Sequence, residues 1–395
     1  MKSMKFITKP IFLAKVSFFI VYAAASVLLP FIALYYQQRG FSGREIGLLA
    51  SIAPIMTMVG TAVWGGLADA TQRHKQLFIL AIAGSIIAVA LIPAAQSFLV
   101  LSLVIALHAF CFMSLIPLYD NSALEILGDR SEKYGQIRLW GSIGWGAGAP
   151  LIGPLVEQLG LQWTFYGHAG LMLIGLLIAL PLPVAQKSGG GGFGSGLRSL
   201  LQDSRWHLFL LIIFVAGFGD AVIRNYWFLY LKDLETSSIL MGLSLTIGTV
   251  SELIVLVYSG QLLKGLGARK LLVVAVLAQI FRLLAWSFIS HPYAALSMHL
   301  LNGLTFGALW IAGVAYAKEI APAGLTATAQ GLLSSVYFGL SSVVGALVGG
   351  LLYEQVGSWE MFRWTGIAMI VGLLIYTFAN VTAVKPAAKQ PVKLS

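Results

Sequence analysis

Predominantly apolar stretches of about twenty residues recur along the whole chain, at 76–95, 163–184 and 270–289 among others. A helix rises about 1.5 Å per residue, so roughly twenty residues carry it across ~30 Å of hydrocarbon. Strands of a membrane barrel would alternate polar and apolar residues over about ten positions, and the sequence has no such alternation. Only 10% of the residues are charged against 58% hydrophobic, where a soluble chain carries roughly a quarter charged. Too little polar surface remains to cover a water-facing globule, so lipid is the solvent.

Charge, Gly and Pro divide the 395 residues into twelve helices: 11–37, 43–68, 76–95, 97–127, 134–159, 163–184, 206–232, 238–264, 270–289, 292–320, 325–355 and 359–383. The expected fold is an all-α membrane protein with residues 1–184 as a first six-helix bundle and 206–395 as a second bundle with a short tail. Between them, 185–205 contains Gly189-Gly190-Gly191-Gly192 and reads as a cytoplasmic linker. The basic N-terminus leads into an apolar segment without a small-residue cleavage site, which reads as a retained first helix.

The net charge of +10 does not indicate a nucleic-acid surface, because the basic residues are scattered through short loops and tails. They follow topology instead. Lys2, Lys5, Lys9, Arg73, Lys75, Arg130, Lys133, Lys187, Arg198, Arg205, Arg269, Lys270, Lys385, Lys389 and Lys393 fall on one side, against Arg39, Arg44, Lys232 and His291 on the other. That bias predicts a multi-pass protein of the cytoplasmic membrane with both termini in the cytoplasm. The single Cys111 leaves no intrachain disulfide and no metal or redox motif.

The two halves resemble each other. Gly47, Gly65, Leu67 and Lys75 recur 195 residues later as Gly242, Gly260, Leu262 and Lys270, and Tyr35 recurs as Tyr230. Glu157-Gln158 with Gly160 returns as Glu354-Gln355 with Gly357. Duplication of this kind places a site at the midplane between two related bundles and permits alternating access to it.

The loop Gly65-Gly66-Leu67-Ala68-Asp69-Ala70-Thr71-Gln72-Arg73-His74-Lys75 resembles the motif between the second and third helices of the major facilitator superfamily, with a degenerate copy at 260–270. Tyr134-Gly135-Gln136-Ile137-Arg138 and Trp140 to Trp145, with Pro117-Leu118-Tyr119-Asp120, Ser251-Glu252 and Phe281-Arg282, resemble the lactose permease and 3-phenylpropionate permease group. The resemblance implies uptake of a small polar or aromatic solute by secondary active transport, several such proteins using proton symport. It implies that Gly65, Asp69 and Arg73 form a conformational gate. Asn302 and Thr305 stand where the lactose permease has a His and a Glu that participate in proton coupling. Gly148 to Pro154 faintly echoes a motif of efflux antiporters. A proton-coupled exporter and a non-transporting membrane receptor therefore stay open as alternatives.

Charges within spans need a partner or a cavity, since one at a helix centre costs at least about 2.5 kcal/mol. Asp120 and Arg138 lie at similar depth on neighbouring antiparallel helices and can pair or hold a polar solute. The resemblance assigns them substrate, with Trp145 stacking on it; Asn225 and Asn302 complete the candidate substrate contacts. Glu252 and Arg282 both fall near the midplane, where a glutamate whose surroundings shift can take up and release a proton. Asp220 and Arg224 share a face of the seventh helix, and His299 lies in the same half of the membrane, which adds Asp220 and His299 to the proton-coupling candidates. A helix tie or a buried structural pair is the plain alternative for each of these groups. No nucleotide-phosphate loop, metal cluster or nucleophile–base pair is present in the sequence. No catalytic residue, metal or cofactor is therefore expected; the partners are a small solute, protons and the bilayer, with one chain working alone.

Overall fold

The computed structural model describes residues 2–183, 200–322 and 324–383. It is all-helical. We number the spans α1 (Lys2–Leu28, resuming as Ile32–Gln38), α2 (Gly43–Thr71), α3 (His74–Leu91), α4 (Phe98–Phe112, continuing as Leu115–Leu127), α5 (Tyr134–Leu159) and α6 (Gln162–Ala179). The second half comprises α7 (Ser204–Asp233), α8 (Ser238–Val257, then Ser259–Leu266), α9 (Ala268–Trp286) and α10 (Pro292–Ser297 through Ala308–Ile320). α11 begins at Thr326–Ser334 and runs into the continuous helix Ser341–Ala383, whose part beyond Gly357 is α12. Most of the expected linker, at 184–199, lies outside the described residues.

Local chemistry explains the boundaries. Ser42 and Glu45 form a reciprocal capping box at the start of α2, the Ser42 N–H donating to Glu45 at 2.8 Å. Ser97 and Ser237 cap α4 and α8 more simply, their hydroxyls accepting from the Val100 and Leu240 N–H groups. Asp203 caps α7 by accepting from the Arg205 N–H at 2.9 Å, and the Arg205 guanidinium holds its carboxyl below the usual carboxylate range. Pro30 interrupts α1. Gly357 separates α11 from α12 because its φ of 78° and ψ of 177° leave the helical region.

By length and composition alone, nine helices among the described residues qualify as membrane spans. One of them, 326–380, holds both α11 and α12 across the Gly357 kink. α5 and α9 do not qualify. Glycines and prolines lower the hydropathy of α5, while α9 is strongly apolar but carries three charges, Arg269, Lys270 and Arg282.

The halves touch chiefly along two crossings, α2 on α11 and α5 on α8, with the 32–38 part of α1 also against α7. Both crossings depend on missing side chains. A Cβ at Gly43 would lie 2.5 Å from the Gly350 carbonyl oxygen, and one at Gly242 would lie 2.6 Å from the backbone of Pro150. These contacts gather at the end of the bundle where α1 turns into α2 and α7 into α8, the closed end. There one core cluster runs unbroken from Tyr35, Ile46 and Ile152 into Tyr226 and Trp227. A second cluster, with Phe18, Phe78, Phe112 and Tyr119, stays within the first half. At the opposite end a Cβ on Gly65, Gly66, Gly135, Gly260 or Gly265 would meet nothing within 4 Å. The bundle is closed at one end and parted at the other.

Candidate functional site

The first half contributes a charged cluster from α1, α4 and α5. Asp120 accepts a hydrogen bond from the Tyr134 hydroxyl at 2.7 Å, and Arg138 acts on it through space without an ion pair. The Arg138 guanidinium lies over the Tyr22 ring, 4.2 Å from its centroid, with Phe18 at 5.9 Å. A planar cation stacked on an aromatic face is held flat with its N–H edges free for a ligand. Trp145 lies two turns further along α5, half-buried beside the same core.

The second half contributes another cluster, more deeply buried. Asp220 pairs with Arg224 at 3.2 Å, one helical turn away. Arg224 donates to Ser342 at 2.9 Å and lies 5.5 Å from the Phe338 ring centroid. Tyr337 packs its hydroxyl against Asp220. Arg282, 1% exposed, donates to the Asn302 amide oxygen at 3.2 Å and stacks on Trp286 at 4.8 Å. Its Nε makes no hydrogen bond.

The helices here are locally irregular. A 3₁₀ turn at Met298–Leu301 leads into a π-helical stretch at Gly303–Gly307, and a second π stretch spans Ser335–Leu340. Such stretches concentrate at functional sites because the extra residue per turn redirects side chains and loosens the backbone ladder. Asn302 and Tyr337 lie at these two irregularities, and Ser251 answers the disturbed backbone by accepting the Gly303 N–H at 2.9 Å.

Glu252 connects the clusters. It is half-buried on α8, and a Cβ at Gly307 would lie 3.3 Å from its side chain. The charges acting on it are Arg138, from the opposite half, and Asp220. Ion pairs among the described residues include neither Glu252–Arg282 nor Asp120–Arg138. The structure thus gives Arg282 to Asn302, while the opposing charge that acts on Glu252 is that of Arg138 in the other half.

The remaining candidates are placed as follows. Asn225 donates to the Ala221 carbonyl of its own helix at 2.8 Å. His299 is buried and stacked on Trp227 at 4.4 Å, near Trp286; no His299–Asp220 hydrogen bond occurs among the described residues. Gly65 and Arg73 lie at the parted end, Arg73 exposed before α3; the Asp69 side chain lies outside what the structure describes. Lys75, from the same loop, donates to the Ala179 carbonyl at 2.7 Å and to that of Leu182, capping α6. His108 and His168 form a buried pair at 3.2 Å, with His168 Nδ1 donating to the Ala24 carbonyl at 2.9 Å. Each of these histidines has the other as its partner, not an acid.

Sequence reasoning did not reach the polar contacts that seal the closed end. Gln37 donates to the Tyr353 hydroxyl at 2.6 Å and accepts from Lys232 at 2.7 Å. Glu354 accepts from the Arg44 backbone N–H at 2.8 Å and pairs with its guanidinium at 3.3 Å. The repeat was a usable signal, since Gln37 and Lys232 are themselves 195 residues apart.

Two related six-span halves, packed together at one end and parted at the other with charged side chains between them, form the architecture of a membrane carrier. The chain matches the MFS_1-like family over residues 12–364 and belongs to it. It is therefore a secondary transporter of small solutes. It is 27% identical to the maltose permease of Geobacillus stearothermophilus, over 91% of each chain. It is 23% identical to a probable 3-phenylpropionic acid transporter of Escherichia coli, covering 86% of this chain and 90% of that one. The solved nucleoside transporter NupG superposes with a TM-score of 0.82 at 19% identity, covering 93% and 98% of the two chains.

Proposed function

We propose that the protein imports a small uncharged polar solute by proton symport, and that the parted end faces the cytoplasm. The observation that carries the coupling is the position of Glu252. Its opposing charge, Arg138, lies on the other half, so any rocking of the halves changes the field on a half-buried carboxyl. A carboxyl whose counter-charge comes and goes with conformation binds a proton in one state and releases it in the other. A pair fixed within one half would move as a unit and report nothing.

The solute follows from the charge balance. The two clusters hold Asp120, Asp220 and Glu252 against Arg138, Arg224 and Arg282. A balanced set with flat aromatic neighbours suits a hydroxylated ring, such as a sugar or a nucleoside, better than a carboxylate. The maltose and nucleoside transporters named above support that choice, while the phenylpropionic acid relative supports the aromatic side of it. The excess of basic residues on the segments at the parted end supports its cytoplasmic placement.

The experiment is a pH recording in lightly buffered proteoliposomes while sugars, nucleosides and aromatic acids are added in turn. External alkalinisation on adding one class, absent in Glu252→Gln, is the expected result. External acidification on solute entry would replace this reading with an antiporter. Alkalinisation that persists in Glu252→Gln would move coupling to another residue.

A further inference from the structure

The two crossings between the halves are copies of one another. Gly47 and Gly242 are equivalent by the 195-residue repeat, which also makes Ile239 the counterpart of Arg44. Glu157 is the counterpart of Glu354, 197 residues on, and Gly153 that of Gly350. The packing repeats as well. A Cβ at Gly43 would meet the Gly350 carbonyl, and a Cβ at Gly153 would lie 2.9 Å from the Ser238 carbonyl and 3.0 Å from the Ile239 Cα.

The polar lock does not repeat. On the α2–α11 side Arg44 closes onto Glu354 at 3.3 Å. On the α8–α5 side the position of Arg44 is held by Ile239, and Glu157 has no ion pair among the described residues. Glu157 instead lines a cavity of about 520 Å³ at the closed end. Leu34, Gln38 and Glu157 of the first half form its walls together with Lys232, Ser238 and Met241 of the second.

We propose that this cavity binds a small zwitterion whose cationic end, an ammonium or guanidinium, takes the place at Glu157 that Arg44 takes at Glu354. The anionic end of the ligand meets Lys232, which uses one N–H on Gln37 and retains donors for a second acceptor. A short hydrocarbon segment between the two charges lies on Leu34 and Met241. The walls come from opposite halves, so the site is complete only while this end is closed. Ligand binding therefore favours the closed-end state and, resting on the alternating-access reading above, slows transport.

The test uses 4-guanidinobutanoate as the probe, by calorimetric titration of the purified full chain, with butylguanidinium and butanoate as half-ligands. Saturable binding that weakens at least tenfold in Glu157→Gln and in Lys232→Gln, and at least tenfold with either half-ligand, is expected. Ile239→Arg supplies the missing cation from within; it abolishes binding and shifts the closed end further toward closure, while Ile239→Leu does neither. Closure is read as the distance between spin labels at Gln96 and His291. No binding at 10 mM probe, or binding unchanged in Glu157→Gln, overturns the proposal. So does an Ile239→Arg chain that binds the probe like wild type. Failure of the transport reading would appear separately, as absent solute flux with the titration intact.

Discussion

Glu354 on α11 holds Arg44 on α2 twice, accepting its backbone N–H at 2.8 Å and facing its guanidinium at 3.3 Å. The first contact fixes the start of a helix from the opposite half, where orphan N–H groups favour an anion. The second involves side chains 57% and 32% exposed, so water screens it.

Glu354→Gln should therefore cost about 1 kcal/mol of closure, most of it from the charged hydrogen bond to the backbone. That corresponds to a shift of roughly fivefold toward the state open at this end. Pulsed spin-label distances between Gln96 and His291 read the two populations directly. An unchanged distribution would mean that apolar packing alone sets the equilibrium.

Gly47→Ala should arrest the cycle without unfolding the protein. Its new Cβ would lie 2.7 Å from the Ala346 carbonyl and 3.2 Å from the Tyr226 hydroxyl, both on the opposite half. Each half keeps its own packing, so only closure is opposed. Solute uptake should fall at least tenfold at normal expression, with a thiol reagent labelling a cysteine introduced at Gln96, at the closed end, more readily. Wild-type uptake would show that the helices separate at no cost.

The span boundaries were legible from sequence because lipid punctuates so sharply: α5 runs Tyr134–Leu159 as read, and α8 begins at Ser238. The partners of the buried charges were much less legible. Depth along a helix follows from counting residues, but rotation about its axis depends on how neighbouring helices cross. Asp120 and Arg138 match in depth, yet the carboxylate is satisfied by Tyr134, fourteen residues on across the 128–133 turn. Likewise Arg282 turns to Asn302, at the edge of a π stretch whose altered register no helical count anticipates. The Gln37–Tyr353 contact spans 316 residues and depends on the state of the bundle, which sequence does not encode locally.

Tyr134→Phe should weaken solute binding while leaving the fold intact. The phenol is the fixed donor to Asp120, and a hydrogen bond to a charged group contributes about 1.5–3 kcal/mol. Freed of it, the carboxylate can collapse onto Arg138 and withdraw both groups from a ligand. A five- to fiftyfold rise in solute Kd with an unchanged maximal rate is expected. An effect on rate alone would make Tyr134 a part of the moving machinery instead.

Lys75→Met separates stability from transport. Its ammonium caps two carbonyls at the end of α6, worth on the order of 1 kcal/mol, and touches none of the charged clusters. The melting temperature should fall by a few degrees, with solute affinity kept. A loss of affinity at constant melting temperature would tie this loop to the binding cavity.

Arg282 and Asn302 allow structural and functional roles to be told apart by a double-mutant cycle. Among the described residues, Arg282 is buried with Asn302 as its one hydrogen-bonding side chain, and its Nε lacks a partner. Asn302→Leu removes that partner and leaves a charge held only by stacking on Trp286 and the through-space pull of Asp220, which should destabilise the protein by about 2–4 kcal/mol. Arg282→Met/Asn302→Leu replaces both with apolar groups and should recover most of that loss, because no buried charge remains unpaired. If the pair serves only packing, the double variant transports as well as it folds. The open Nε and the neighbouring π stretch argue for the other result: recovered melting temperature with uptake still at least tenfold down.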